Sequence, residues 1–371
     1  MTAEAKLITD KSLFGGIFAR VFMRGNVFIK TSGLNIQVES FHYSEGELLV
    51  KLSEPGGELN NPLFYVRHGE EVFFTHAKLL SRDEDGQYRF HPVDVQILQA
   101  PRREDRRQVA GAQNPGREPA YISNIVSDFI LRESLSNNRK KIEIFKDSIL
   151  KKIGSGFPAS RVYLVNEKPG DGRMEYFRKE RVPLFINNLD DREGLAAEPP
   201  GTFYLTRILP NEPEEKSVKL VSEIAVPFLY RLMLPFGYLQ VNGADRFGDE
   251  DFAAMKKLGM SISTVMTNDR QLIKGSEEKI AVTDLSASGM GIFFRDRPLI
   301  KYFKDGSQMV FAMFLPGGRQ SNMLCEVRNI SIMKNTIYRV GCEIVNMDSI
   351  GEVHYTEYLE SLAAPAGAPG Q

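Results

Sequence analysis

Apolar positions along this chain change their period three times. Near the start, Leu7, Leu13, Phe14, Ile17, Phe18, Val21 and Phe22 recur at helical spacing, so residues 1–24 read as an amphipathic lead-in helix. From residue 27 the period shortens. Val27-Phe28-Ile29, Leu34-Asn35-Ile36-Gln37-Val38, Glu47-Leu48-Leu49-Val50-Lys51-Leu52, Glu71-Val72-Phe73-Phe74 and Gln87-Tyr88-Arg89-Phe90 are short strand-like runs parted by Gly, Pro and Asp turns. They predict a small N-terminal β-barrel over residues 25–100.

Helical spacing returns at Ile122, Ile125, Val126, Phe129 and Ile130, then at Ile142, Phe145 and Ile149, predicting one long helix or two. Arg161-Val162-Tyr163-Leu164-Val165, Met174 to Phe177, Pro183-Leu184-Phe185-Ile186, Phe203-Tyr204-Leu205, residues 218–226 and residues 236–242 read as strands. A closing helix over residues 249–258 turns Phe252, Met255 and Leu258 inward. Residues 119–260 are therefore expected to form a mixed α/β domain. Its apolar stripe from Ile122 through Ile149 is longer than one small sheet needs, which predicts a homodimer through this domain.

Strand period resumes after residue 261. Ile280-Ala281-Val282 leads into the polar stretch Asp284-Leu285-Ser286-Ala287-Ser288-Gly289, and Met290-Gly291-Ile292-Phe293-Phe294 follows, reading as strand, turn, strand. Met309 to Leu315, Met323 to Ile330 and Tyr338 to Val345 add further strands, with turns at Phe303-Lys304-Asp305-Gly306 and Pro316-Gly317-Gly318-Arg319. Residues 363–371 are Ala, Pro, Gly and Gln, a composition expected to be disordered.

Composition narrows the chemistry. Forty-seven Lys and Arg against 48 Asp and Glu leave a net charge of −1, which argues against a partner that is a nucleic-acid polymer. An anion site must then be a local cluster. Cys325 and Cys342 lie in apolar runs and read as buried free thiols of a reducing cytosol. The start of the chain has no signal-peptide pattern, and residues 224–241 are too interrupted for a membrane span, so a cytoplasmic location is expected. The five histidines have no metal-ligand spacing, and no G-x-S-x-G, Walker-type or G-x-G-x-x-G motif is present, so no enzyme is expected.

Two stretches could grip a nucleotide. In the first, Asp284 can accept from a base N–H edge or orient an arginine, Ser286 both donates and accepts, and Gly289 lets a ligand come close. The second is Pro101-Arg102-Arg103-Glu104-Asp105-Arg106-Arg107, which reads twice as R-x-x-x-R: Arg102 with Arg106, and Arg103 with Arg107. Guanidinium groups bind phosphate bidentately and stack on purine faces.

The D-x-S-x-x-G spacing of Asp284, Ser286 and Gly289, the strand order after it and Gly341 resemble the PilZ domain, a six-stranded β-barrel. The resemblance covers residues 261–362 and implies cyclic di-GMP as ligand. A preceding β-domain followed by an arginine segment, here residues 101–118, resembles the flagellar-brake family. Residues 119–260 resemble the GAF sensory domains in pattern. The fold class expected is α+β multidomain: an N-terminal β-barrel, a central α/β GAF-like domain and a C-terminal six-stranded PilZ β-barrel.

What the resemblance implies is a cyclic di-GMP receptor. Its site residues would be Arg102, Arg103, Arg106, Arg107, Asp284, Ser286 and Gly289. Arginines would take phosphates and guanine faces, Asp284 and Ser286 the base edges, and ligand would shift the domain arrangement to regulate a protein partner in motility or adhesion. Two rivals stand beside it: a scaffold whose barrel binds no nucleotide, and a sensor of another small molecule through the central domain. In the family the arginine motif lies a few tens of residues before D-x-S-x-x-G, whereas here Arg107 and Asp284 stand far apart in sequence. Either the block between them is an insertion and folding closes the gap, or the barrel has lost its arginines.

Overall fold

The computed structural model describes residues 5–31, 34–52, 59, 61–69, 71–83, 85–99, 106–109, 118–154, 156–168, 170–212 and 220–362. The chain divides into two compact units. One comprises residues 1–123, 279–307 and 313–371; the other comprises residues 124–278 and 308–312. Among the described residues, no helix is long and apolar enough to cross a membrane.

The first unit opens with strand β1 (Ala5–Ile8), where the spacing predicts helix. Its backbone is taken up by an exposed strand edge, Leu7 pairing with Gln96 and Ile8 with Val95. Helical turns begin only after Asp10, whose side chain accepts from the Ser12 N–H, and they run to Phe22. Next come β2 (Phe28–Lys30), β3 (Asn35–Ser44), β4 (Glu47–Leu52), β5 (Leu63–His68), β6 (Glu71–Arg82), β7 (Gln87–Pro92) and β8 (Val95–Gln99). Strands β2-β3-β4-β7-β6-β5 form a ring, closed because β5 pairs with β2, and β8 extends it from β6. Phe18 and Phe22 of the lead-in pack on Phe41, itself edge-on to Phe64. The helical spacing of the lead-in therefore serves to plug the barrel core.

After this barrel the chain enters β9 (Arg107–Gln108) and β10 (Tyr121–Ser127). The sequence pattern predicts helix from Ile122. Instead Ile122, Ile125 and Val126 are buried strand residues, as suits β-branched side chains that lose rotamer freedom in a helix. The helix starts at Asp128, where Ser127 is the N-cap.

The second unit is a mixed α/β domain. The helices Asp128–Asn137 and Arg139–Ile153 are two, divided at Asn138. A four-stranded antiparallel sheet runs in the order β11 (Ser160–Leu164), β14 (Leu234–Gly243), β13 (Ser222–Tyr230), β12 (Leu184–Ile186). Two expected strands are helical. Met174 to Phe177 lie in the helix Gly172–Glu180, which Asp171 caps through the Arg173 N–H. Phe203-Tyr204-Leu205 follow Pro199-Pro200, and the prolines start a helix there. The closing helix is longer than expected, Asp249–Asn268.

After the second unit's long helix come β15 (Ile280–Ser286), β16 (Gly289–Phe294), β17 (Gln308–Leu315), β18 (Arg319–Met333) and β19 (Ile337–Met347), and the described part ends with the helix Ser349–Ser361. Strand order β18-β17-β10-β15-β16-β19, with β18 also pairing β19, closes a six-stranded barrel. One of its six strands, β10, precedes the inserted block and the other five follow it. A parallel pairing of β3 with β18, Ser331 opposite Asn35 and Ile332 opposite Ile36, joins the two barrels inside this unit.

Candidate functional site

The six-residue stretch that reads as a turn is mostly strand. Asp284, Leu285 and Ser286 end β15, and a two-residue turn, Ala287-Ser288, leads to Gly289 opposite Ser286. The Ser286 hydroxyl donates to the Gly289 carbonyl at 3.3 Å, and the buried Tyr355 hydroxyl donates to the Ser286 carbonyl at 2.7 Å. At Gly289 a Cβ would come within 2.9 Å of the Cys342 carbonyl oxygen, so β19 approaches the hairpin too closely for a side chain.

Asp284 is 2% exposed, and its carboxylate holds two guanidinium groups. Arg106 Nη1 donates to Oδ1 at 2.5 Å and Arg339 Nη2 to Oδ2 at 3.1 Å. Thr283 adds a hydroxyl contact to Oδ2 at 3.1 Å. Burial pushes the Asp284 carboxyl up, but the Arg106 hydrogen bond and the charges of Arg339 and Arg106 outweigh it and hold it below the ordinary carboxylate value. Room for this carboxylate comes from Gly291, directly opposite Asp284 on β16: a Cβ there would meet Asp284 Oδ2 at 2.3 Å.

Folding closes the long gap in sequence. Strand β9 runs antiparallel to β15, with Gln108 opposite Asp284 and Arg107 opposite Leu285. The Val109 N–H continues the ladder to the Thr283 carbonyl at 2.9 Å. This places Arg106 on the Asp284 carboxylate. Arg107 points elsewhere and donates to the Leu359 carbonyl in the last turn of the C-terminal helix. Arg102 and Arg103 lie outside the described residues.

Asp284 and Ser286, expected to take base edges, are both buried in this structure. Both Asp284 oxygens already accept from arginine, and Ser286 at 5% exposure closes its own hairpin. Their task in this structure is to fix guanidinium groups and turn geometry. The groups that face open space are different ones. A cavity of about 220 Å³ is lined by Arg67, Arg106, Asn329, Arg339 and Gly341. A neighbouring cavity of about 650 Å³ shares Arg67, Asn329 and Arg339 with it. Sequence reading missed Arg67, Arg339, Asn329 and Gly291. The only signal for Arg339 was its place two residues before the barrel glycine Gly341; nothing local marked Arg67.

Residues 258–361 match the family model described as the PilZ domain. The chain carries a PilZ domain, from a family of cyclic di-GMP-binding domains. The match contains β15 to β19 and excludes both β10 and the arginine segment, as the insertion requires. Solved structures to which the chain is similar include MrkH of K. pneumonia in complex with c-di-GMP, at 9% identity, covering 97% of each chain, TM-score 0.36. YcgR of Escherichia coli in complex with c-di-GMP has 8% identity, covers 96% of this chain and 92% of that one, and scores 0.35. The Bacillus subtilis inhibitor of motility MotI has 10% identity, covers 92% and 95%, and scores 0.23. No curated protein matches the chain in sequence.

Proposed function

We propose that this chain is a cyclic di-GMP receptor whose site is assembled from β9 and its preceding arginine segment on one side and the β15–β16 hairpin on the other. The observation that carries this reading is the Arg106–Asp284 contact, which joins the half-motifs across 178 positions of sequence. Asp284 acts as the buried anchor that holds Arg106 and Arg339 in place, so their remaining donors meet an anionic ligand without first being ordered. Preorganisation matters because an unpinned arginine loses rotamer entropy on binding, up to about 2 kcal/mol per side chain. Among the described residues, the cavity beside Arg106 is lined by Arg67, Asn329, Arg339 and Gly341.

Ligand capture ties the arginine segment to the β15–β16 hairpin and shifts the populations of the domain arrangements. The output is altered contact with a protein partner in motility or adhesion, or with a second copy through the central unit. Calorimetry of the full chain with cyclic di-GMP, against GMP as control, tests the reading. Saturable binding of the cyclic dinucleotide alone is expected. Absence of heat, with the chain folded by circular dichroism, would replace the receptor by a scaffold that binds no nucleotide.

A further inference from the structure

Tyr355 and Arg107 line neither cavity at the site, yet together they tie both half-motifs to one helix. That helix, Ser349–Ser361, starts on the N-cap Asp348, whose side chain accepts from the Gly351 N–H and from the Asn322 N–H of β18. Its first turns lie on β18. A Cβ at Gly351 would stand 2.4 Å from Ser321 Oγ, and Arg319 Nη1 donates to the Glu357 carboxylate at 3.0 Å. The helix is therefore seated on the barrel wall by contacts that involve neither half-motif.

Another face of the helix meets the site. Tyr355 and Leu359 are four residues apart, so they lie one above the other along the helix. Tyr355 is buried, and its hydroxyl donates to the Ser286 carbonyl at 2.7 Å, at the end of β15. One turn later the Leu359 carbonyl accepts from Arg107 of β9. Carbonyls in the last turn of a helix run out of intrahelical donors, and the helix dipole favours a cation there. Consecutive residues of an extended segment point to opposite faces, and Arg106 and Arg107 do so: Arg106 holds Asp284, and Arg107 holds the helix. Strand β9 has two residues, Arg107 opposite Leu285 and Gln108 opposite Asp284, so its ladder alone gives little grip. The Arg107 contact adds a charge-assisted hydrogen bond, the stronger kind.

We propose that Tyr355 and Arg107 are positioning residues for the ligand site. The C-terminal helix holds β15 through Tyr355 and β9 through Arg107, and so keeps Arg106 on the Asp284 carboxylate. Neither residue touches the ligand; both act through Arg106. The identity of the ligand rests on the receptor reading above, whereas the hold on β9 does not. The two neighbouring arginines then do different work. Arg106 meets the ligand, and Arg107, which the sequence offers as a ligand-gripping residue, works from the back of the strand. A carbonyl needs one donor, which a lysine at 107 also supplies. A guanidinium that grips phosphate is not replaced in this way, because lysine lacks the planar fork.

The test uses the full chain and two readouts. In the first, calorimetry with cyclic di-GMP compares wild type, Tyr355→Phe, Arg107→Lys and Arg107→Met, each also in an Arg106→Ala background. Tyr355→Phe keeps the buried ring and removes only the hydroxyl, and circular dichroism checks that every variant folds. Tyr355→Phe should weaken binding by about three- to tenfold and Arg107→Met by about tenfold, with Arg107→Lys within about threefold of wild type. In the Arg106→Ala background the losses from Tyr355→Phe and Arg107→Met should shrink to less than about twofold, because no guanidinium is left to position. In the second, hydrogen exchange without ligand follows the Val109 amide, which donates to the Thr283 carbonyl at 2.9 Å. Arg107→Met should speed this exchange by about tenfold, and Arg107→Lys should restore it. A loss of affinity as large in Arg107→Lys as in Arg107→Met makes Arg107 a ligand contact and overturns the proposal. A loss undiminished in the Arg106→Ala background overturns it as well, and so does Val109 exchange unchanged by Arg107→Met. If cyclic di-GMP does not bind wild type while Arg107→Met speeds Val109 exchange, the hold on β9 stands and the receptor reading falls.

Discussion

Gly291→Ala should damage the site without touching any charged residue. Gly291 and Asp284 are cross-strand partners, and a methyl group at 291 would stand 2.3 Å from Asp284 Oδ2, 2.8 Å from Cγ and 3.0 Å from Oδ1. Carbon atoms sit best at roughly 3.5–4.0 Å, so the carboxylate must leave its place. Overpacking of this kind costs about 1–3 kcal/mol, and a lost charge-assisted hydrogen bond costs about 1.5–3 kcal/mol. Because one displacement relieves the clash by giving up the Arg339 or Arg106 contact, the two do not add fully. The net destabilisation expected is about 2–4 kcal/mol. A chain of two units has no single unfolding free energy, so the assay is native-state hydrogen exchange of the β15 and β16 amides. A cycle with Asp284→Ala isolates the cause, since that change removes the carboxylate that the methyl meets. Gly291→Ala should cost clearly less in the Asp284→Ala background. Equal cost in both backgrounds, or no cost in wild type, would refute the reasoning that Gly291 exists to seat Asp284.

Three further outcomes follow from named contacts. Asp284 has its carboxyl held down in the fold, so its ionised form stabilises the barrel above the ordinary carboxylate value of about 3.9, and that contribution is lost as pH falls through the lower folded value; Asp284→Asn should flatten the acid limb of a circular-dichroism pH titration below about pH 4, and an unchanged limb would count against the triad. Burial pushes the Cys342 thiol up to about 12 and Cys325 well above its ordinary value, so maleimide labelling of both at pH 8 should run at least ~10³-fold slower than for free cysteine, and labelling at the free rate would show that the β18–β19 core is open. In the central unit, Arg173 at 1% exposure is held bidentately by Glu223 at 2.6 and 2.7 Å and by Glu212 at 2.5 Å; Glu223→Ala should cost about 3 kcal/mol by exchange of the β13 and β14 amides, because it leaves the buried guanidinium with Glu212 alone, and a cost below about 1 kcal/mol would mean the pair is dispensable.

The barrels were legible because strand alternation and turn residues are local signals. Val50, Phe90, Ile292 and Val340 are all fully buried where the pattern put apolar strand positions. Three of the misreadings share one physical cause. Ile122 to Val126, Met174 to Phe177 and Phe203 to Leu205 are short apolar runs, for which period alone cannot separate a buried strand from a buried helix. What decided each was a flanking cap or proline, Ser127, Asp171 and Pro199-Pro200, and these signals were available in the sequence. The site was half legible. Asp284, Ser286 and Gly289 carry a spacing; Arg106 could be suspected from its run of charges. That Arg106 reaches Asp284 depends on β9 pairing with β15 across an inserted domain, which no local pattern encodes. Arg67 and Arg339 became visible only through the β3–β18 register between two barrels.

The central claim is that the arginine segment and the β15–β16 hairpin act as one binding site. A double-mutant cycle in cyclic di-GMP affinity, using Arg106→Ala and Ser286→Ala in the full chain, measures it most directly. Separate sites would give losses that add to within about 0.3–0.5 kcal/mol, whereas residues of one site couple by about 0.5–3 kcal/mol. The account predicts that Arg106→Ala weakens binding by about ten- to a hundredfold, that Ser286→Ala costs about 1 kcal/mol, and that the double variant departs from their sum by more than about 0.5 kcal/mol. Strict additivity, or an affinity indifferent to Arg106, would contradict it.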